Sequence, residues 1–321
     1  MDLLNNDCLT EILKYNTTLE LIKFSLLNNY YVEFFKRNIK RFKIDCCDTI
    51  VVNIKKYTLN QRDIHMKLSN QISYNSLEYL KGANNIKFFN VKQVQDNWLS
   101  IFENIRIIDL WNCDQITDLG LQYLKNAHTI KLGYCHKITD FSLRYLTNVD
   151  NINLAGCKQI TDNGIKNLLD STYKTYNQYK PKIRNISLYG CNKITDLGLK
   201  YLQEWLSQKT PCMYNIDLSY CTSITGSGLK YLQNLDKVYS IKLDFCVYNI
   251  TELKYLKNIP NVSLYSCKSI QDKNLICLEN SNIINLDLSY CTKISDDGMK
   301  YLKNIPNLTM NGCHIEYTFR I

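Results

Sequence analysis

Residues 111–126 read WNCDQITDLGLQYLKN, and residues 133–148, GYCHKITDFSLRYLTN, can be laid on them position by position. Four more copies follow: AGCKQITDNGIKNLLD at 155–170, YGCNKITDLGLKYLQE at 189–204, SYCTSITGSGLKYLQN at 219–234 and SYCTKISDDGMKYLKN at 289–304. One unit, I-x-L-x-x-C-x-x-I-[TS]-[DG]-x-[GS]-[LIM]-x-x-L, generates them all. Its cysteines Cys113, Cys135 and Cys157 are spaced 22 residues apart. The paired apolar residues before each cysteine alternate with polar ones, the period of a strand with one buried face. Leu121 and Leu124 keep the three-residue step of a helix.

A strand–turn–helix unit of this length cannot bury its own apolar face, so neighbouring units must stack, with parallel strands on the inner side of the curve. The unit resembles the cysteine-containing leucine-rich repeat. The fold this implies is an α/β solenoid, a curved horseshoe with strands on its concave face and helices on its convex face. Counting back by 22 from Cys113 reaches Val91, Ser69 and Cys47, each preceded by an apolar pair: Ile86 and Phe88, Ile64 and Met66, Phe42 and Ile44. Going forward, the cysteine recurs at 191, 221, 246, 267, 291 and 313. About twelve repeats are therefore expected over residues 42–321. The alternation of Ile315, Tyr317, Phe319 and Ile321 should add a capping strand. The intervals from Cys157 to Cys191 and from Cys191 to Cys221 lengthen to 34 and 30 residues. Extra chain is expected there after two helices, the first as a basic, tyrosine-rich loop, STYKTYNQYKPK, at 171–182.

Most of the fourteen cysteines fall at one repeat position, which a packing role predicts and a disulfide framework does not. Each should enter the core just past a strand, with its S–H reaching a backbone carbonyl. A ladder of single cysteines lacks the converging ligands of a zinc site, so no metal and no cofactor are expected. The Asp that follows, at 118, 140, 162, 196 and 296, precedes a helix and is read as its cap. Four histidines, His65, His128, His136 and His314, without a Gly-rich phosphate loop or nucleophile motif, point away from an enzyme.

Before the array, residues 1–41 lose the repeat and take helical spacing. Leu4, Leu9, Ile12, Leu13 and Tyr15 fall on one pattern with Asp7 in an acidic place; Leu21 follows Glu20, and Ser25 and Leu27 form a serine–hydrophobe step. The plain reading is an N-terminal cap for the solenoid. The pattern also resembles an F-box, with Asn5, Asn16 and Tyr31 standing where that motif has Pro, Leu and Trp. The combination with cysteine-type repeats is similar to the F-box/LRR proteins, including those of giant DNA viruses. The resemblance implies that the first segment docks a Skp-family adaptor and cullin of an SCF-type (Skp–cullin–F-box) ubiquitin ligase. The adaptor-facing residues would be Leu4, Asp7, Leu9, Ile12, Leu13, Tyr15, Leu21, Leu27 and Tyr31, while the repeats hold the protein to be ubiquitinated.

Strand parity places the target-binding residues. Side chains alternating with the buried ones project from the concave face: Lys87 and Phe89, Asp109 and Trp111, Lys131, Asn153, Ser187 and Tyr189, Asp217, Lys242 and Asp244, Ser263 and Tyr265, and Asp287. Mixed charge with spaced aromatics suits a protein partner. Two alternatives stay open: a stand-alone scaffold without a ubiquitin link, and a nucleic-acid or anionic-surface binder. The formal charge of +9 prompts the second. Against it, Lys125, Arg144, Lys166, Lys200, Lys230, Lys254 and Lys300 are expected on the convex side rather than gathered into one aromatic-lined stripe. No run of eighteen apolar residues is present to span a bilayer, and the first segment lacks the basic and apolar regions of a secretory signal. The chain is read as monomeric apart from its complex, and as intracellular. That means cytoplasmic, including a host cytoplasm should the source be viral, with the nucleus left open.

Overall fold

The computed structural model describes residues 42–46, 64–68, 72–174, 183–207, 214–233, 237–246 and 252–313. Their strands form one open sheet of twelve parallel strands whose order follows the sequence without a crossover. These are β1 (Phe42–Cys46), β2 (Ile64–Leu68), β3 (Asn85–Lys87), β4 (Ile107–Asp109), β5 (Thr129–Lys131), β6 (Asn151–Asn153), β7 (Asn185–Ser187), β8 (Tyr214–Asp217), β9 (Val238–Lys242), β10 (Asn261–Ser263), β11 (Asn285–Asp287) and β12 (Asn307–Thr309). The expected leucine-rich-repeat architecture is the one observed. The F-box-like segment 1–41, with every adaptor-facing residue named above, lies outside the described residues, as do most of the 171–182 insertion and the tail 314–321.

Register explains why one apolar residue recurs. Ile86, Ile108, Ile130, Ile152, Ile186, Ile216, Ile241, Val262, Leu286 and Leu308 are matched strand to strand, and all but the terminal Leu308 are buried. Counting by 22 fails at one step. Ile86 pairs with Met66, not with Ile64, and Ile44 in turn pairs with Met66. The interval from β2 to β3 is thus two residues shorter than assumed. A slip of two preserves which side chains share a face, so parity survives the miscount.

The helical side departs from a uniform helix per repeat. Among the described residues, α1 (Tyr74–Leu77), α2 (Asp118–Leu121), α5 (Asp272–Leu275) and α6 (Asp296–Met299) are single turns. Other repeats close with 3-10 turns, as at Asp96–Phe102, Ser142–Tyr145 and Gly226–Leu232. Among the described α-helices only α3 (Asp162–Lys174) and α4 (Asp196–Leu206) exceed two turns. A 3-10 turn advances about 2.0 Å per residue against about 1.5 Å for an α-helix, so it covers the return path with fewer residues. The two full helices belong to the two longest repeats. The first insertion therefore begins as helix, which runs on to Lys174, rather than as loop from residue 171.

Three hydrogen-bond systems join neighbouring repeats. The backbone ladder is the first. The second is the thiol row: Cys113 Sγ donates to Phe88 O, Cys135 to Leu110 O and Cys157 to Leu132 O, each at 3.1 Å, and six further repeat cysteines do the same within 3.5 Å. Leu110 O also accepts Cys113 N at 3.1 Å, so one carbonyl uses both lone pairs, one within its repeat and one across.

The third system corrects the reading of the aspartates. Thr117 and Thr195 are the caps, each accepting the N–H two residues on. The Asp beside the cap reaches into the following repeat instead. Asp118 takes Thr139 N at 2.8 Å and Thr139 Oγ1 at 2.5 Å; Asp140 does so with Thr161 and Asp162 with Thr195. Asp196 holds Thr225, and Asp96 and Asp272, outside the consensus copies, hold Thr117 and Ser295. This clamp accounts for the glycine in the unit: a methyl on Gly164 would lie 2.3 Å from Asp140 Oδ1.

Asp140→Ala should leave the Thr161 amide without its partner and cost about 1–3 kcal/mol, with Asp140→Asn losing less because one oxygen is retained. Urea unfolding followed by circular dichroism measures this; equal losses for the two variants would remove the clamp.

Burial pushes the thiols of Cys113, Cys135, Cys191, Cys246 and Cys291 up from 9.0 to about 12. In the unfolded chain they ionise near the ordinary value. Their stabilisation is therefore complete below about pH 9 and is lost as pH rises towards 12. Between about pH 8 and about pH 10, Cys135→Ala should lose about 1 kcal/mol less stability than the parent chain. Identical pH slopes for the two would contradict a neutral, buried thiol.

Candidate functional site

The strand face carries three residue rows, set by the two-residue period of the strands. At the strand start runs an asparagine row. Asn185 donates its side-chain amide to Asn151, Asn215 to Asn185 and Asn285 to Asn261, and Asn307 donates to Asn285 at 2.8 Å. Linked amides of this kind satisfy one another and stiffen the face. Sequence reading passed over them because the apolar pair that defines the strand begins one residue later.

The middle row is Lys87, Asp109, Lys131, Asn153, Ser187, Asp217, Lys242, Ser263, Asp287, matched in register. Its acids serve the frame first. Asp109 Oδ1 accepts Trp111 N at 3.1 Å, Asp217 Oδ1 accepts Ser219 N at 3.1 Å and Asp287 Oδ1 accepts Ser289 N at 2.9 Å. In the corresponding place Asn153 Oδ1 accepts Ala155 N at 2.9 Å, so an amide performs this bond as well as a carboxylate. Asp109 is buried, 7% exposed, with Lys131 Nζ 3.8 Å away. It supports Trp111 more than it meets solvent. Lys87, Lys131 and Lys242 are exposed, and Asp217 and Asp287 are half-buried. Between β5 and β9 this part of the face holds a shallow groove of about 250 Å³ lined by Thr129, Asn151, Asn185, Asn215, Asp217 and Lys242, among others.

The third row is aromatic. Phe89 stacks on Trp111 with ring centroids 6.4 Å apart, and Trp111 meets Tyr134 at 5.3 Å. The row stops where the chain carries Ala155 and Gly156. It resumes with Tyr189, Tyr220, Phe245, Tyr265 and Tyr290, whose successive centroids lie 5.0, 4.2, 5.1 and 5.1 Å apart. Asp244 sits beside this second row. Its carboxyl accepts the Ser263 hydroxyl and Tyr265 N, and burial, opposed by these bonds, raises it above the usual carboxylate range. Burial, with Tyr220 alongside, also raises the Tyr189 phenol.

Tyr134, Tyr220, Phe245 and Tyr290 were missed by parity reasoning, which follows the strand and stops at its end. They occupy the position just before the repeat cysteine, the third residue of a tight turn closed by the cysteine N–H, as in Cys221 N to Leu218 O at 3.1 Å. That position has a left-handed backbone in every repeat from Asn90 to Gly312. It ordinarily takes Gly or Asn, as at Asn112, Gly156 and Gly190. An aromatic there, with φ of 57–60°, costs about 1–3 kcal/mol. The available signal was the run Tyr, Tyr, Phe, Tyr directly ahead of Cys135, Cys221, Cys246 and Cys291.

On the helix side the recurrent cations largely engage their own surface. Arg144 lies 3.9 Å over the Phe141 ring, and Lys230, Lys254 and Lys300 lie 5.0–5.1 Å from the adjacent tyrosine rings. Lys200 and Lys254 pair with Glu204 and Glu252. Of the histidines, His128 pairs with Asp150 at 2.9 Å and His136 edges onto Tyr134; His314 lies outside the described residues. Among the described residues no group of three metal-ligating side chains converges, and no helix is long and apolar enough to cross a membrane.

Sheet, turn and residue rows define a leucine-rich-repeat solenoid with an aromatic and charged strand face. A leucine-rich repeat is present at residues 279–303, where the profile described as Leucine Rich repeat matches. No curated protein matches the chain in sequence. Among solved structures, the chain is similar to the crystal structure of the Rad7 and Elc1 complex in yeast, with a TM-score of 0.61 and 19% identity over 94% of this chain and 84% of that one. It is also similar to an internalin, inlF, from Listeria monocytogenes, with a TM-score of 0.54 and 18% identity over 94% and 90% of the two chains. At these identities the likeness is one of fold.

Phe245→Asn should change stability by less than about 1 kcal/mol, because relief of backbone strain offsets lost ring stacking. A loss of several kcal/mol on urea unfolding would make the ring part of the core instead.

Proposed function

We propose that this chain is a protein-binding scaffold, and that it serves as the substrate-recruiting subunit of an SCF-type ubiquitin ligase. The observation that carries the first part is the aromatic row on the strand face, exposed at Phe89, Tyr134 and Tyr290 and half-buried elsewhere. Tyr290, 47% exposed, stands at a turn position that other repeats close with Gly or Asn, and Phe89, directly before such a turn residue, is 46% exposed. Large, stiff rings at solvent-facing positions are the anchors of protein interfaces. The second part rests on the F-box-like pattern of Leu9, Ile12, Leu13 and Leu21 ahead of cysteine-type repeats. In support, a structure similar in fold is that of a complex between Rad7 and Elc1 in yeast. In this reading the chain performs no chemistry itself. Its first segment holds a Skp-family adaptor joined to a cullin, its strand face holds the target, and ubiquitin transfer belongs to the partners.

Affinity purification of the tagged full chain from cells should bring down adaptor and cullin, and a Leu9→Asp/Ile12→Asp variant should lose both while circular dichroism shows the repeats folded. A soluble, folded bait without adaptor or cullin removes the ubiquitin arm and leaves a stand-alone scaffold.

A further inference from the structure

Resting on the reading of the strand face as the partner-binding surface, we infer that its C-terminal half, from β7 to β11, takes an extended segment of a partner protein bearing arginine or lysine side chains. The inference comes from charge, row geometry and strain together. The chain as a whole is formally +9, yet this stretch of face inverts the sign: Asp217, Asp244 and Asp287 stand against Lys242 in the middle and aromatic rows. The five rings from Tyr189 to Tyr290 run beside these carboxylates in steps of 4.2–5.1 Å. An aromatic face is electron-rich and attracts a cation, and a planar guanidinium can stack on a ring while donating to a carboxylate beside it. The phosphates of an anionic partner such as nucleic acid meet these carboxylates unfavourably, although its bases could stack on the rings.

The length fits a short segment. The row spans roughly 20 Å, which an extended chain covers in about six residues. The carboxylates have capacity for such a ligand. Asp217 and Asp287 each commit Oδ1 to a frame amide, and Asp217 Oδ2 also accepts the Ser187 hydroxyl at 3.2 Å, whereas a carboxylate offers about four acceptor sites. Strain singles out this half. Three of the four aromatics forced into the left-handed turn position, Tyr220, Phe245 and Tyr290, lie here, consecutive in the row except for Tyr265. The same turn closes with glycine at Gly190 and Gly312, so the frame itself does not ask for rings. Strained residues at a surface, held by a rigid frame, are a mark of a binding site.

The probe is a fluorescein-labelled decapeptide alternating Arg and Ser, titrated into the full chain by fluorescence anisotropy, with the Glu–Ser counterpart as control. Two variants separate the terms without disturbing the turn. Tyr220→Asn/Phe245→Asn keeps a residue that the left-handed position tolerates at Asn90 and Asn112. Asp217→Asn/Asp287→Asn keeps the amide acceptor that Asn153 already supplies in its repeat. The Arg peptide should bind well above the Glu peptide and weaken about tenfold on loss of the two rings; loss of the two charges should weaken it several-fold. Equal binding of the two peptides, or Arg-peptide binding indifferent to both variants, overturns the inference. The scaffold reading is judged apart. If a target captured by the full chain is lost in Tyr220→Asn/Phe245→Asn but kept in Asp217→Asn/Asp287→Asn, the face remains the docking surface and the basic-segment inference falls.

Discussion

Each repeat of this chain leaves polar groups open that only the next repeat can close. The carbonyl of Leu110 waits for the Cys135 thiol, the carboxylate of Asp118 for the amide and hydroxyl of Thr139, and the edge of β4 for β5. Unpaired, any one of these buried or half-buried groups costs on the order of 1–3 kcal/mol. The array is therefore held by repetition at a fixed register. Local features follow from that demand: the cysteine must be small and neutral enough to enter the core, the acid must stand beside the cap, and the glycine must leave room for the preceding repeat's acid.

The same demand decides where the sequence is free to vary. A buried position is bounded by the same position in the repeats before and after, so a change of size at Ile130 is felt at Ile108 and Ile152. A residue on the strand face meets neighbours on two sides but water on the third. Chemistry placed there becomes a line, because strand spacing sets side chains about 4.8 Å apart along the sheet. Asparagines become a hydrogen-bonded rail and aromatics a stacked row. One missing member, as at Ala155 and Gly156, divides the face into two lengths.

How far the sequence disclosed this depends on which positions repeat without exception. Cys113, Cys135 and Cys157 gave the period, and the alternation of Ile108 and Leu110 with Asp109 and Trp111 gave the faces. Both survive in the structure because burial enforces them in every copy. The miscount at Met66 arose where the cysteine is absent and only apolar pairs remain. With period-two residues a slip of two leaves no trace in the pattern. The aspartates were legible as helix-start residues but not as clamps, since their partner lies 21 residues on in Asp118 and 33 on in Asp162. A fixed-offset motif does not connect them. Helix type was likewise hidden. Whether Leu121 and Leu124 lie on an α or a 3-10 turn depends on the path length left by the repeat, which composition does not record.

The aromatic turn residues were missed for a different reason, and that reason bears on function. Parity arguments describe residues that alternate within a strand, whereas Tyr220, Phe245 and Tyr290 sit past the strand in a backbone conformation that ordinarily excludes them. A position whose backbone demand favours glycine or asparagine, yet which holds a ring in three of the five repeats from β7 to β11, is under two opposed pressures. The frame supplies only one of them. The other comes in part from the neighbouring rings, stacked at 4.2–5.1 Å, which leave Tyr220 and Phe245 half-buried, while Tyr290 stays 47% exposed to solvent. In the proposed reading a partner laid along the row supplies the rest of that contact, and the carboxylates set beside those rings select the sign of its charge.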